Sequence, residues 1–487
     1  MPWWLAKFGD LQSDGSYVLS SSRSSLVTSI LSVGTFFGAL GAYPVGDALG
    51  RRFGIIAFLG LFAIGVALQT AGNTIGEFAA GRVFAGLGVG GTSCLVPMYQ
   101  AECAPKSVRG FAVAGYQLFI TIGILIAAVV VNATKDFDSA NCFRIPVAVQ
   151  FIWGAILGLG LGFLPESPRW LIMKGREEDA QRSLSRILHE PIGSPAVIEE
   201  YAEIAANLHH ERAIGATSYL DCFRSGDGRN SLRVWTGIGL QALQQLTGCN
   251  FIFYYGTTFF ENSGISNSFI ITIATDVVNV GMTFPGMYAV DRAGRRFLLL
   301  LGAAVMAVSQ FIVAITGTII GDGDPAGQKC LVAFVCIFLG AFASTWGPMA
   351  WVVTSEIYPN AIRAKAMSMS TASHWLLNFA IGYATPYMVD SGPGNADLQA
   401  KVFFIWGGCC VICFFFVYFF VPETMGLSLE QVDILYRNSS ILGSNLYRKQ
   451  ILAENLHDED MAAYEGAKGA KGAVEHDEGK AERELEA

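Results

Sequence analysis

The chain has 487 residues, of which 52% are hydrophobic and only 15% charged, with a mean hydropathy of +0.43. That balance excludes an ordinary soluble globule and points to a polytopic membrane protein. Most of the net charge of −8 lies in the C-terminal tail, so the apolar body is close to neutral and offers nothing for nucleic acid.

The opening MPWWLAKFGD lacks the basic start and apolar core of a cleavable signal. Eleven apolar stretches then predict membrane spans, at about 26–48, 54–73, 76–100, 111–131, 145–164, 231–260, 268–290, 297–320, 328–355, 366–389 and 400–421. Short connections on one face carry Arg51, Arg52, Lys106, Arg109, Arg292, Arg295, Arg296, Arg363 and Lys365. The opposite loops and their edges carry only Lys135, Arg144, Lys329 and Lys401, so the richer face is expected to be cytoplasmic. The division that follows is an extracellular segment 1–25, a five-span bundle 26–164 and a cytoplasmic linker 165–230 of short amphipathic helices. A six-span bundle 231–421 and an acidic cytoplasmic tail 422–487, disordered in its last stretch, complete it.

Three motifs recur in the same order. Asp47–Arg52 (DALGRR) returns as Asp291–Arg296 (DRAGRR), Glu102–Arg109 (ECAPKSVR) as Glu356–Arg363 (EIYPNAIR), and Pro165-Glu166-Ser167 as Pro422-Glu423-Thr424. A duplicated half is implied, in the arrangement of secondary transporters with a site between two halves. One span precedes the first DxxGRR loop and two precede the second, so a first helix is expected to be missing, with residues 1–25 as the outer loop that should follow it. In the DxxGRR loops, Gly50 and Gly294 allow a tight turn between packed helices. Asp47, Arg51, Arg52, Glu102, Arg109, Glu166, Asp291, Arg295, Arg296, Glu356, Arg363 and Glu423 are expected to form an inner gating network, with ion pairs between the halves latching one conformation.

The stretch Gln241–Tyr255, QALQQLTGCNFIFYY, opens an apolar run yet carries Gln241, Gln244, Gln245, Thr247 and Asn250. Carboxamides in lipid are costly unless they face protein or a watery cavity, and helical spacing puts several of these on one wall. Amides donate and accept at once, which suits a neutral polyol. Asp276 is an acid inside a span and hence a functional candidate, with a capped structural role as the alternative. The ten cysteines sit mostly in apolar runs; Cys410 and Cys413 match a redox spacing, but packing is the default there. No nucleotide or metal motif is evident, and no cofactor or enzymatic activity is expected. Asn132-Ala-Thr134 is an outward-facing sequon between two spans, in a loop so short and near the bilayer that such sites often go unmodified.

PESPRWL, the paired DxxGRR loops, QQLTGCNFIFYY and GPMAWVVTSEIYP together resemble the sugar porter family of the major facilitator superfamily. TWGPMAWVVTSEIYPNAIRAKA is most similar to fungal hexose transporters, and the likeness covers about Ser20 to Leu429. The resemblance implies an all-α major facilitator fold and alternating access of a hexose, glucose foremost, as facilitator or proton symporter. The alternative it leaves is a plasma-membrane glucose sensor signalling through its tail. By motif alignment it implies Gln117, lined by Ile120 and Ile124, together with Gln244, Gln245, Asn250, Asn279, Trp351, Trp375 and Asn378 as sugar ligands, beside Gln241 from the same amide run. An indole covers the apolar sugar face while amides grip hydroxyls. Arg82 matches an arginine that in proton-coupled relatives pairs with an acid on the first helix, so Arg82 and Asp276 are the coupling candidates. Two departures from animal facilitators stand out: Ala343 replaces a Glu, and His374 replaces the Asn before the tryptophan. The expected partners are a monosaccharide, the bilayer and protons, with the protein acting as a monomer.

Overall fold

A computed structural model of the chain describes residues 2–11, 17–18, 20–105, 107–213, 218–226, 228–262, 268–319, 325–389 and 394–454. Lys106 and the tail from 455 onward, where disorder is expected, lie outside the described residues.

Helix α1 (Pro2–Phe8) and a two-residue ladder, β1 (Asp10–Leu11) against β2 (Tyr17–Val18), precede the first long helix. In α1, Trp4 and Phe8 pack on Phe78 and Phe143. The first half continues as α2 (Ser21–Leu49), α3 (Arg51–Ala71), α4 (Ile75–Cys103), α5 (Arg109–Thr134) and α6 (Asn141–Phe163). The connection expected to be helical folds as α7 (Pro168–Met173), α8 (Glu177–Leu188) and α9 (Pro195–Ala213), closed over a small core that includes Trp170, Leu184 and Ile204. The second half holds α10 (Asn230–Leu246), α11 (Cys249–Asn262), α12 (Ser268–Ala293), α13 (Arg295–Ile319), α14 (Pro325–Ser344), α15 (Trp346–Glu356), α16 (Asn360–Val389) and α17 (Val402–Phe420), followed by α18 (Leu429–Asn438).

Helices stand at all eleven expected spans, with α10–α11 and α14–α15 each forming one broken segment. Among the described residues nine segments are long and apolar enough to cross a membrane. The segments outside that set are α10–α11 and α16, which bury Gln241, Gln244, Gln245, His374 and Asn378. Elsewhere large apolar side chains such as Phe119, Leu159 and Phe163 are exposed, which suits contact with lipid rather than water.

The duplicated motifs fold alike. Gly50 and Gly294 both have φ of +92°, a conformation that side chains rarely adopt, and a Cβ at either would collide with the carboxylate of Glu166 or Glu423. Those carboxylates cap the next helix: Glu166 accepts from the backbone N–H groups of Arg51 and Arg52, and Glu423 from those of Arg295 and Arg296. Anions at helix N-termini are favoured by the unpaired N–H groups and the helix dipole.

Both breaks have a local cause. Between α10 and α11, Gly248 has φ of +84° and lies against the Trp406 ring, leaving no room for a side chain. The freed Thr247 carbonyl accepts from Gln310 Nε2 at 2.6 Å and from the Cys410 thiol. Between α14 and α15, Thr345 leaves the helical region (φ −131°, ψ −85°), and Trp346 Nε1 donates to the Leu299 carbonyl at 2.8 Å. All ten cysteines are free, and Cys413 donates to the Leu243 carbonyl, so the expected packing role holds in place of a disulfide.

Candidate functional site

A cavity of about 540 Å³ opens between the halves, walled by α4, α5, α10, α11, α12, α14, α15 and α16. Ligand sites for small molecules fall in this size range. Gln117, Ile120, Ile124, Gln244, Gln245, Asn250, Trp351, Trp375 and Asn378 all line it. Asp276 lines it too, beside Thr275 and Thr272.

Two expected ligands stand elsewhere. Gln241 is 1% exposed and sits outside the wall, donating from Nε2 to Thr354 Oγ1 at 3.2 Å and to the Ala350 carbonyl at 3.4 Å. Asn279, one turn from Asp276, is fully buried outside the wall, and neither its Oδ1 nor its Nδ2 has a partner among the described residues. Gln244 uses Nε2 on the carbonyls of Trp346 (2.9 Å) and Gly347 (2.8 Å) in the first turn of α15, while its Oε1 has no partner among the described residues. Unsatisfied buried polar atoms are rare, and beside a cavity they mark where a polar guest is accommodated.

The remaining amides form one network. Gln245 Oε1 accepts from Asn250 Nδ2 and from Asn378 Nδ2 at 3.1 Å. Asn378 Oδ1 in turn accepts from Ser32 Oγ (2.6 Å) on α2 and from Tyr254 OH (3.1 Å) on α11. Trp375 Nε1 donates to Ser93 Oγ on α4 at 2.9 Å. Three rings line up beside this row: Trp351, His374 and Trp375, with centroids 5.0 Å apart at each step. Ser32, Ser93 and Tyr254 are functional candidates that sequence reasoning missed. Tyr254 is four residues from Asn250 and shares its helical face, which was a usable signal; the two serines carry none.

The coupling candidates are not brought together. Arg82 donates to the Val27 carbonyl at 2.7 Å and lies over the Phe78 ring, outside the cavity wall, with no ion pair to Asp276 among the described residues.

The gating network differs from the expectation in its wiring. Arg51 makes two hydrogen bonds of 3.0 Å to Glu102, whose carboxylate also accepts from Ser167 Oγ. Arg295 does the same to Glu356 (2.9 and 3.3 Å), which accepts from Thr424 Oγ1. Each of these ion pairs closes within one half, because the DxxGRR turn and its glutamate belong to the same bundle. Asp47 pairs outside the expected set, with Lys174 at 3.0 Å, and Arg363 bonds to Asn360 and the Tyr358 carbonyl. Arg52 and Arg296 hold the carbonyls of Gly162 and Tyr418, both at 2.7 Å. Arg109 is buried with no ion pair among the described residues. The halves are tied by Arg169 on α7 to Glu430 on α18, and by Asp291, which accepts from the Phe111 N–H at 2.8 Å. Arg169 lies within PESPRWL, but its partner could not be read from the chain.

A family profile described as "Sugar (and other) transporter" matches residues 4–436. The chain is 52% identical over 447 residues to the major facilitator-type transporter ecdD of Aspergillus rugulosus, covering 90% of this chain and 82% of that one. It is 46% identical to a probable glucose transporter, rco-3, of Neurospora crassa (88% and 73% covered). To the high glucose sensor RGT2 of Saccharomyces cerevisiae it is 42% identical over 88% of this chain, which spans 57% of the sensor. The solved proton:xylose symporter XylE, bound to 6-bromo-6-deoxy-D-glucose, superposes with a TM-score of 0.78 at 27% identity, covering 89% of this chain and 93% of that one.

Proposed function

This chain belongs to the sugar transporter family of the major facilitator superfamily, and from that premise we propose that it carries glucose across the plasma membrane by alternating access. It is a multi-pass membrane protein of a family of transporters, not enzymes. The observation that carries the substrate is the amide row Gln244, Gln245, Asn250 and Asn378, set beside Trp351 and Trp375 in a cavity between two duplicated halves. Amides match ring hydroxyls in either role, and an indole face matches the apolar C–H face of a hexose.

Rocking of the bundles 26–164 and 231–421 about this site, joined by the linker 165–230, exposes it to each side in turn. The Arg-rich face, with the C-terminal tail, is the cytoplasmic one. A single chain holds the whole site, so the monomer suffices. Similarity to a proton symporter supports proton coupling, for which Asp276 is the acid in the cavity wall. The likeness to a glucose sensor supports a second role, in which the same site binds glucose and reports it through the tail.

Labelled glucose uptake in a host without hexose carriers tests the proposal, with surface expression verified and a protonophore arm included. Uptake abolished by the protonophore, at controlled membrane potential and ATP, establishes symport, and uptake that survives it establishes facilitated diffusion. Surface protein that binds glucose without transporting it favours sensing.

A further inference from the structure

Independently of the sugar site, and resting only on the placement of the chain in a bilayer, we propose that the groove between α10 and α17 binds an anionic phospholipid, with Arg229 taking its phosphate.

The groove has a volume of about 690 Å³ and grades from polar to apolar along α10. Ser225, Arg229 and Ser231 line one end, and Trp235, Ile238, Phe416 and Phe420 line the rest. From Ser231 to Gly239 the helix rises about 12 Å, close to the roughly 15 Å hydrocarbon depth of one leaflet. At Gly239 a Cβ would lie 2.5 Å from the Phe416 ring, so the missing side chain lets α17 close the apolar end. The matching ligand is polar at one end and apolar along its length, which describes a lipid.

The polar end lies where the chain enters the membrane on the Arg-rich side. Arg233, one turn from Arg229, donates to the carbonyl of Ile357, the residue after Glu356. Trp235 is 58% exposed and packs on Phe223 with ring centroids 5.5 Å apart, while Leu220 nearby is 74% exposed. Large apolar side chains at this level suit the headgroup boundary rather than water.

Charge selects the headgroup. Among the described residues that line the groove, Arg229 is the one cation and there is no acid. Its Nη1 donates to the Ser439 carbonyl at 2.9 Å, which fixes the side chain while the guanidinium keeps further N–H groups for a ligand. Two such N–H groups match two phosphate oxygens. The first turn of α10 has no side-chain cap, so its unpaired N–H groups add to the positive potential at that end. A zwitterionic headgroup brings its own cation there, and an anionic one does not. The acidic tail carries few large apolar residues beyond Leu456 and cannot fill the apolar depth.

The test titrates the delipidated, purified full chain with phosphatidylglycerol or phosphatidylcholine and counts bound lipid by native mass spectrometry. Wild type is expected to bind one phosphatidylglycerol about tenfold or more tighter than phosphatidylcholine. Arg229→Gln removes that preference, and Arg229→Lys, which keeps the charge, retains about fivefold or more of it. Arg224→Gln, at an exposed arginine outside the groove already paired with Asp221, leaves it within about twofold. Equal losses in Arg224→Gln and Arg229→Gln would mean diffuse attraction and overturn the proposal. So would displacement of the lipid by an equal concentration of inorganic phosphate, which would make this a free-phosphate site. A wild-type preference below twofold leaves the groove to the tail or a second copy and likewise overturns it.

Photocross-linking of wild type by phosphatidylglycerol with a diazirine in its acyl chain needs no variant. Labelled peptides are expected to contain Trp235, Ile238, Phe416 or Phe420. Labelling confined to other faces of the helices overturns the assignment, and neither result bears on whether the chain carries glucose.

Discussion

Arg169, on the first helix after one half, is ion-paired with Glu430, on the first helix after the other, and both side chains are at least nine-tenths buried. Burial alone would raise the Glu430 carboxyl, but the Arg169 charge and hydrogen bond outweigh it and push it down from the ordinary 4.5 to about 2. On the alternating-access proposal, the pair ties segments that follow the two halves and part when their side opens.

Removing one partner of a buried pair strands the other, at a cost of about 3–5 kcal/mol. Glu430→Gln is therefore expected to shift the transporter toward opening on the Arg-rich side, read as faster labelling of cysteines introduced on that face. Unchanged labelling would remove the pair from the gate. The pH dependence has a definite sign. A carboxyl depressed on folding contributes fully above its unfolded value, so the tie holds at neutral pH and is lost as pH falls from about 4.5 toward 2.

Gln245→Ala removes the acceptor shared by Asn250 and Asn378. Losing a hydrogen-bonding group matched to a hydroxyl is worth about 1–3 kcal/mol. The KM for glucose is expected to rise about tenfold or more at equal surface expression. A KM within twofold of wild type, about 0.4 kcal/mol, would place the sugar elsewhere in the cavity.

Gly50→Ala and Gly294→Ala test the duplication. Each puts a side chain into a left-handed backbone and against a capping glutamate, so losses of about 1–3 kcal/mol or more are expected at both sites. Thermal melts of the purified protein check this. A large loss at one site only would deny the two turns equivalent roles.

Asp276→Asn keeps the size of the one carboxylate among the described residues that line the cavity and removes its titration. Uptake is expected to persist while its dependence on external pH is lost. An intact pH profile would assign Asp276 to packing.

The sequon at Asn132 lies inside α5, and its Thr134 is buried with the hydroxyl committed to the Val130 and Cys142 carbonyls. Acceptor sequons need an accessible loop. Endoglycosidase is expected to leave the gel mobility of the expressed protein unchanged, and a faster band after digestion would show the helix end to be open during synthesis.

Much was legible in the sequence for a local reason. Helix length follows from apolar runs, and the turns at Gly50 and Gly294 follow from a residue type that tolerates φ of +92°. The repeat of Asp47–Arg52 at Asp291–Arg296 announced two halves because the same short motif folds the same way twice. Even the amide-rich wall was visible, since Gln244, Gln245 and Asn250 are an anomaly within apolar sequence.

What only the tertiary structure decided is how distant groups share their hydrogen bonds. Helical spacing made Gln241 and Gln245 equal candidates, yet the Ala350 carbonyl and His374 take Gln241 out of the wall and leave Gln245 in it. Glu102 and Glu356, expected to join the halves, were claimed by arginines of their own bundle, and the ties fell to Asp291 on the Phe111 N–H and to Arg169 with Glu430, 261 positions apart. Each donor and acceptor has few places to bond, and which place is nearest depends on how the helices pack, a property that no stretch of the chain carries alone.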